Sequence, residues 1–233
     1  MSTIKHQQTI KMCNIISIEG NIGSGKSTLL ANLQQVFANN KNIVFLKEPV
    51  DDWESITDEA GTPMLKLFYA DTKTHAFAFQ MMAYISRLSV MMSAVKKNPD
   101  AIIITERSLY TDNKVFAKML FDSGNISVEN YKIYVKWFDT FASEFPIKKV
   151  IYVNTSPNVC YERIQKRSRD GENKITLEYL TTCHKYHEDM LDKNNTSCVC
   201  LNQLILNGNI DIYIHANELS NWIEEVTTFI HAD

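Results

Sequence analysis

No run of apolar residues in this 233-residue chain approaches the roughly eighteen that a membrane-spanning helix needs. Neither charge is in large excess: 24 lysines and arginines stand against 27 aspartates and glutamates, a formal net charge of −3. A strongly basic face for nucleic acid or anionic lipid is therefore not expected, and neither is named as a partner. Cysteine is scarce and odd in number. Cys13, Cys160, Cys183, Cys198 and Cys200 are scattered, which argues against a disulfide framework and for reduced thiols in a cytoplasmic setting. Cys198 and Cys200 fall in an apolar, strand-like stretch and read as core. Internal repeats, linkers and low-complexity tracts are lacking, and so is the N-K-x-D element of GTPase-type switches. Residues 1–12 have neither the apolar core of a signal peptide nor the arginines of a transit peptide. They are expected to be a flexible extension ahead of one domain over residues 13–233.

What is present centres on Gly20, Asn21, Ile22, Gly23, Ser24, Gly25, Lys26, Ser27 and Thr28. An apolar run over residues 14–18 precedes this stretch. A helical pattern follows it, with Leu29, Leu30, Leu33, Val36 and Phe37 on one face. Strand, glycine loop, Lys-Ser and helix together form the context in which G-x-x-x-x-G-K-[ST] means a phosphate cradle. Inward-turned backbone N–H groups and the helix dipole would hold the phosphates. Lys26 would reach the outer ones, and the Ser27 hydroxyl would bind Mg²⁺. A nucleoside triphosphate, ATP or another, is the expected ligand.

Further apolar strands are expected at 43–46, 101–104, 149–153 and 199–206, with helical patterns between them. The helices are read at 52–60, from Pro63 to 97 as one or two, at 115–121, 131–145, 158–167, 177–193 and 218–231. His184, His187 and Glu188 read as a solvated helix face. Alternation of this kind predicts an α/β fold: a five-stranded parallel sheet covered by helices on both faces. Such a sheet gathers its strand ends at one crevice, which brings Glu19, Glu48, Glu106 and Arg107 together. Glu48 suits a general base for a hydroxyl acceptor. Glu106 suits Mg²⁺ or its waters, and Arg107 suits the charge on a phosphoryl group in flight. Arg163, Arg167 and Arg169, near a Gly-containing break, read as an Arg-rich lid over about 163–175.

Taken together, these stretches resemble the deoxyribonucleoside kinases of the deoxycytidine, deoxyguanosine and insect multisubstrate group. The resemblance runs from about residue 14 to about 191. It rests on E-G-N-I-G-S-G-K-S-T, Glu48-Pro49-Val50 with Trp53, Phe79-Gln80, Glu106-Arg107-Ser108, the three lid arginines and Leu177-Glu178-Tyr179-Leu180. It implies a P-loop kinase fold and an ATP- and Mg²⁺-dependent transfer to the 5′-hydroxyl of a deoxyribonucleoside, in nucleotide salvage. Lys26, Glu48 and Arg107 would then be catalytic, with Ser27 and Glu106 at the metal. Gln80 would read the base edge, and Tyr69 and Glu172 would grip the 3′-hydroxyl. Ile22, Trp53, Leu65, Phe79, Ala83 and Phe116 would line the nucleoside site. An Arg87–Asp112 pair beside the base would occupy the space of a 5-methyl group. That pair favours deoxyadenosine, deoxyguanosine or deoxycytidine over thymidine. The resemblance also implies a homodimer. A thymidylate kinase-like reading would need arginines where residues 48–52 are acidic, and a GTPase-type switch or non-enzymatic ATP-binding regulator is disfavoured by the missing N-K-x-D element.

Overall fold

Alternation along the first strand sorts the molecule into two layers. β1 (Asn14–Glu19) sends Ile16 and Ile18 to one face of the sheet and Ile15, Ser17 and Glu19 to the other. The computed structural model describes residues 14–167 and 172–232. After β1 come α1 (Lys26–Val36), β2 (Ile43–Leu46), α2 (Val50–Ser55), α3 (Met64–Ala70), α4 (Thr72–Lys97) and β3 (Ile102–Glu106). Next are α5 (Leu109–Thr111), a π-helical segment (Asp112–Ala117), α6 (Lys118–Asp122) and α7 (Val128–Phe141). The chain ends with β4 (Ile147–Asn154), α8 (Pro157–Arg167), α9 (Leu177–Leu191), β5 (Gln203–Asn207) and α10 (Ala216–His231).

The sheet is five-stranded, wholly parallel, and ordered β2-β3-β1-β4-β5. The expected α/β architecture is therefore what forms. Parallel neighbours require crossovers, so helices cover both faces and the strands read as nearly continuous apolar runs. On one face Ile16, Ile18, Ile104 and Ile151 pack against Leu29 and Leu33 of α1 and Trp222 and Val226 of α10. On the other, Ile15 and Ile103 pack against Tyr84, Leu88 and Met91 of α4 and Tyr134 of α7. The chain passes outward to β2, returns through β3, and then crosses β1 to reach β4. That reversal makes the carboxyl end of β1 the topological switch point, where open α/β sheets bind ligands.

Several boundaries depart from expectation for local reasons. The helix expected over 52–60 is α2, which starts earlier and stops at Ser55. Beyond it Thr57 bridges Pro63, and Asp58 Oδ1 accepts from the Ala60 and Thr62 amides, so the segment turns. Pro63 therefore sits at the N-cap of α3 rather than inside its first turn. The long helical stretch does split, because Asp71 caps α4 by accepting from Thr74 N. The last strand begins at Gln203, not 199. Gln203 Nε2 donates to Leu191 O and Cys200 O, which ties the Cys198–Cys200 stretch to the end of α9, so it does not continue the β5 ladder. Cys200 is nonetheless buried. His187 is fully buried rather than solvated; its Nδ1 lies 2.8 Å from Cys183 O, and burial pulls its pKa down to about 3. The 1–12 extension and Cys13 lie outside the described residues.

Lys149 of β4 closes the C-terminal helix. Its buried Nζ donates to Phe229 O at 2.9 Å and Ile230 O at 3.3 Å, and also to Ala232 O. A cation here meets the negative end of the α10 dipole and three carbonyls that the helix cannot satisfy itself. Lys149→Met keeps the apolar stem but strands those acceptors. We expect a loss of about 2 kcal/mol, seen as a fall of roughly 4–8 °C in a thermal melt. An unchanged melting temperature would refute the role.

Candidate active site

The glycine loop leads from β1 straight into α1, whose N-terminus carries no side-chain cap. Its first amides are therefore available to an anion. Two glycines are demanded by space as well as by backbone. At Gly20, φ 144°, a Cβ would lie 2.7 Å from both Ser24 Oγ and Val153 O. At Gly23, φ 78°, it would lie 2.8 Å from Cys160 O. Asn21 braces the loop from behind by donating to Leu180 O and accepting from Ile22 N. Lys26 lies across the loop and donates to Asn21 O at 2.7 Å. Burial and the nearby Arg107 charge pull its pKa down to about 8. Ser27 Oγ donates to Glu106 Oε1 at 2.6 Å, which joins the loop to the end of β3.

Beyond the strand ends lies a chain of alternating charges. Asp112 accepts from Arg87 Nε at 2.8 Å, and Arg87 Nη2 reaches Glu48 Oε1 at 3.0 Å. The same Oε1 accepts from Arg107 Nη1 at 2.8 Å. Arg87 Nη1 also donates to Glu106 O at 2.7 Å. Both bonds to Glu48 land on one oxygen, so Oε2 has no hydrogen-bond partner among the described residues. Burial pushes Glu48 up, but Arg107, Arg87 and Lys26 outweigh it and hold the carboxyl well below the usual range, at about 2. Burial also pushes Asp112 up, to about 6, against the pull of Arg87. Among the described residues buried Arg107 has no partner for Nε or Nη2, and its guanidinium lies 5.1 Å from the Phe116 ring centre. Unsatisfied buried donors of this kind are costly unless a ligand meets them.

Lys26, Ser27, Glu48, Glu106, Arg107 and Asp112 share a cavity of about 480 Å³, a size typical of small-molecule sites. Its apolar end is built from Ile22, Trp53, Leu65, Phe79, Ala83 and Phe116. Phe79 stacks on Phe68 at 4.5 Å and meets Trp53 edge-on at 5.6 Å. Trp53 is itself fixed by donating Nε1–H to Ser86 Oγ. Gln80 lines the cavity with a buried Oε1 that has no partner among the described residues, so it can accept from a ligand. Tyr69 and Glu172 line it too, and burial together with the Glu172 charge raises the tyrosine pKa.

A family model, "deoxynucleoside kinase", matches residues 16–231. The chain belongs to the deoxynucleoside kinase family. It is 35% identical over 218 residues to a "probable deoxycytidine kinase" of fowlpox virus, covering 92% of this chain and 87% of that one. Deoxycytidine kinase 2 of Gallus gallus is 34% identical, with coverage of 76% and 73%. The mitochondrial thymidine kinase 2 of Homo sapiens is 30% identical, with coverage of 78% and 66%. Relatives named for different nucleosides match at similar identity, so membership identifies a nucleoside kinase and leaves the base open.

Not every expected residue of the kinase faces the cavity. Gly20, Asn21 and Arg87 stand behind its wall; Arg87 is 3% exposed and its guanidinium is engaged with Asp112, Glu48 and Glu106 O. Glu19 is buried against Ser17 and Thr111. Arg169 lies outside the described residues. Arg163 and Arg167 do line the cavity, but each is also held by protein groups. Arg163 donates to Ser24 O and Ile210 O, and Arg167 to both oxygens of Glu172. The cavity also includes Lys166, Tyr179 and the loop 210–213 after β5. Lys166 could have been found from its place between two lid arginines. The loop has no motif of its own, and only the fold brings it to the phosphate loop.

Two outcomes follow from these charges. In Arg87→Met, Asp112 and Glu48 lose a buried partner, and stability near pH 7 should fall by about 3–5 kcal/mol. Glu48 sits below its ordinary value of 4.5, so its contribution is complete above that pH and is lost as pH falls toward about 2. The Asp112 share of the difference is lost earlier, as pH falls to about 6. Urea unfolding at several pH values should therefore show variant and parent converging in two stages, the first complete near pH 6 and the second near pH 2. Separately, Lys26 is partly neutral in the free protein near pH 8.5. A bound triphosphate restores its charge, so calorimetry in buffers of different ionisation enthalpy should register proton uptake on binding. No uptake would contradict the depressed pKa.

Proposed function

We propose that this kinase transfers the γ-phosphoryl group of ATP, with Mg²⁺, to the 5′-hydroxyl of a deoxyribonucleoside. Deoxyadenosine, deoxyguanosine or deoxycytidine would be preferred over thymidine, and the reaction serves nucleotide salvage. The observation that carries this reading is the Glu48–Arg107 contact at 2.8 Å on the cavity wall. One member keeps a free acceptor oxygen, and the other keeps two buried unpartnered donors. A hydroxyl between them meets Glu48 Oε2 as proton acceptor, while Arg107 offers N–H groups to charge on the transferring oxygens. The low pKa of Glu48 suits a loose transfer, in which the proton leaves late and positioning supplies most of the rate. Arg87 fixes the Glu48 rotamer, so orientation rather than basicity is what the cluster provides.

A carboxylate and a hydroxyl 2.6 Å apart at the head of α1 form an oxygen donor set that suits Mg²⁺, which takes few protein ligands. Ser27 and Glu106 would hold it, and bound there it neutralises charge on the phosphates. Lys26 and the α1 amides bind the same anion. Arg163, Arg167 and Arg169 would close over the donor, with loop 210–213 against its base.

On the acceptor side, Gln80 Oε1 would accept from the base edge between Phe79 and Phe116. Tyr69 and Glu172 would hold the sugar hydroxyl. Asp112, fixed by Arg87, narrows the space beside Ala83 where a 5-methyl group would lie. A homodimer is proposed through α4 and α7, where Ile85, Met92, Ile133 and Trp137 are between 45% and 48% exposed. No helix among the described residues is long and apolar enough to cross a membrane; the cytoplasmic setting is proposed from the scattered, odd-numbered cysteines.

Glu48→Gln should lower kcat roughly 100- to 10,000-fold with little change in nucleoside affinity. Unchanged turnover would reassign the proton acceptor. A panel of four deoxynucleosides against ATP, GTP and UTP tests the rest. Thymidine turned over fastest ends the specificity claim, and a nucleoside monophosphate turned over faster than its nucleoside ends the hydroxyl-acceptor claim.

A further inference from the structure

Among the described residues, Arg107 is the non-glycine residue in left-handed backbone, with φ 61°. An L side chain there costs roughly 1–2 kcal/mol and persists only where its surroundings over-determine it. The surroundings are unusually complete. Arg107 N donates to Ile18 O at 3.0 Å, and Arg107 O accepts from Thr105 Oγ1 at 2.9 Å. The next residue, Ser108, exchanges bonds with Thr111: each hydroxyl caps the other's amide, and the two oxygens lie 3.0 Å apart. Thr111 Oγ1 in turn donates to Glu19 Oε2 at 2.6 Å. Ser17 Oγ occupies the other oxygen of that carboxylate.

With Glu19 taken as a carboxylate, the proton count in this network closes. Thr111 has a single hydroxyl proton, and the Glu19 carboxylate takes it. Its oxygen then accepts from Ser108 N and from Ser108 Oγ–H, which leaves Ser108 Oγ to accept from Thr111 N. Every group is satisfied, and Ser17, Glu19, Thr105, Ser108 and Thr111 are each no more than 1% exposed. A fully connected buried network of this kind is stiff, and truncating it leaves unmet groups in a dry interior. None of these five side chains lines the cavity.

We propose that Glu19 and Thr111, acting through Ser108, and Thr105, acting on the Arg107 carbonyl, are positioning residues for phosphoryl transfer that lock the left-handed turn at Arg107. The turn aims the Arg107 guanidinium along the Phe116 face and onto Glu48. A relaxed, negative φ would swing the Cα–Cβ vector away and separate the pair. The same capping network starts the helix that carries Asp112, whose amide donates to Ser108 O. This proposal rests on the reading of Arg107 as the group that stabilises the transferring phosphoryl.

The test is a double-mutant cycle on the full chain, with steady-state kinetics well below each variant's melting temperature. Thr111→Val removes the hydroxyl at constant shape, and Thr111→Ser restores it. We expect Thr111→Val to lower kcat about tenfold or more with nucleoside KM changed less than about threefold, and Thr111→Ser to recover most of the loss. In an Arg107→Lys background, Thr111→Val should cost less than about twofold, because its effect passes through the residue already replaced. Thr105→Val cuts only the bond to the Arg107 carbonyl; it should repeat the pattern, and it keeps the test alive if Thr111→Val folds poorly. Full kcat in Thr111→Val and Thr105→Val, or equal losses in both backgrounds, would overturn the proposal and leave the network purely structural. Arg107→Lys with undiminished kcat would instead overturn the reading of Arg107, a different failure.

Discussion

Two buried arginines sharing one carboxylate oxygen are the constraint from which the rest of the site follows. Arg87 and Arg107 both donate to Glu48 Oε1, and Asp112 balances Arg87 from the far side. Two positive and two negative groups in line make a cluster that is tolerable in a dry interior, where any one of them alone would not be. Neutrality also sets what the cluster can do. Glu48 stays charged across the working pH range, and the electrostatic preference for a charged carboxylate beside Arg107 persists until a ligand reorganises the pair. The remaining valences, Glu48 Oε2 and two Arg107 nitrogens, point the chemistry at whatever enters the cavity.

Each member of the cluster comes from a different part of the chain, and the parallel sheet makes their meeting possible. Glu48 follows β2, Arg107 follows β3, and Arg87 comes from the α4 face that packs beneath them. The switch point at β1 places the glycine loop between these strand ends, so the anion site and the charge cluster are neighbours by topology. On the opposite rim, Arg163 joins the Ser24 carbonyl to the Ile210 carbonyl. One side chain therefore ties the phosphate loop to the loop after β5, two segments more than 180 residues apart. Arg163 and Arg167 are both held by protein partners, and under the proposed function a triphosphate would compete with two carbonyls and Glu172 for them.

Much of this was legible in the residues. The strand–loop–helix context of the glycine stretch, the five apolar strands and the strand-end charges needed only local pattern, because parallel strands are apolar throughout and polar only where they end. Boundaries were less legible where a side chain decides them. The Asx turn at Asp58 shortens α2, and the Gln203 amide delays β5; neither alters hydrophobic periodicity. His184, His187 and Glu188 read together as a solvated helix face, yet the π-helical segment brings Phe116 against the His187 ring at 6.2 Å.

The sequence by itself determined that a phosphate loop, a strand-end carboxylate and an E-R-S turn belong to one α/β fold. Those features are encoded by neighbours along the chain, through glycine backbone freedom and the polarity of strand ends. Only the tertiary structure decided that Arg87 braces Glu48 rather than facing the cavity, that loop 210–213 walls the site, and that Arg107 stands in left-handed backbone. Each of these depends on which distant groups compete for the same few hydrogen-bond donors and acceptors in a buried space, and no local pattern carries that competition.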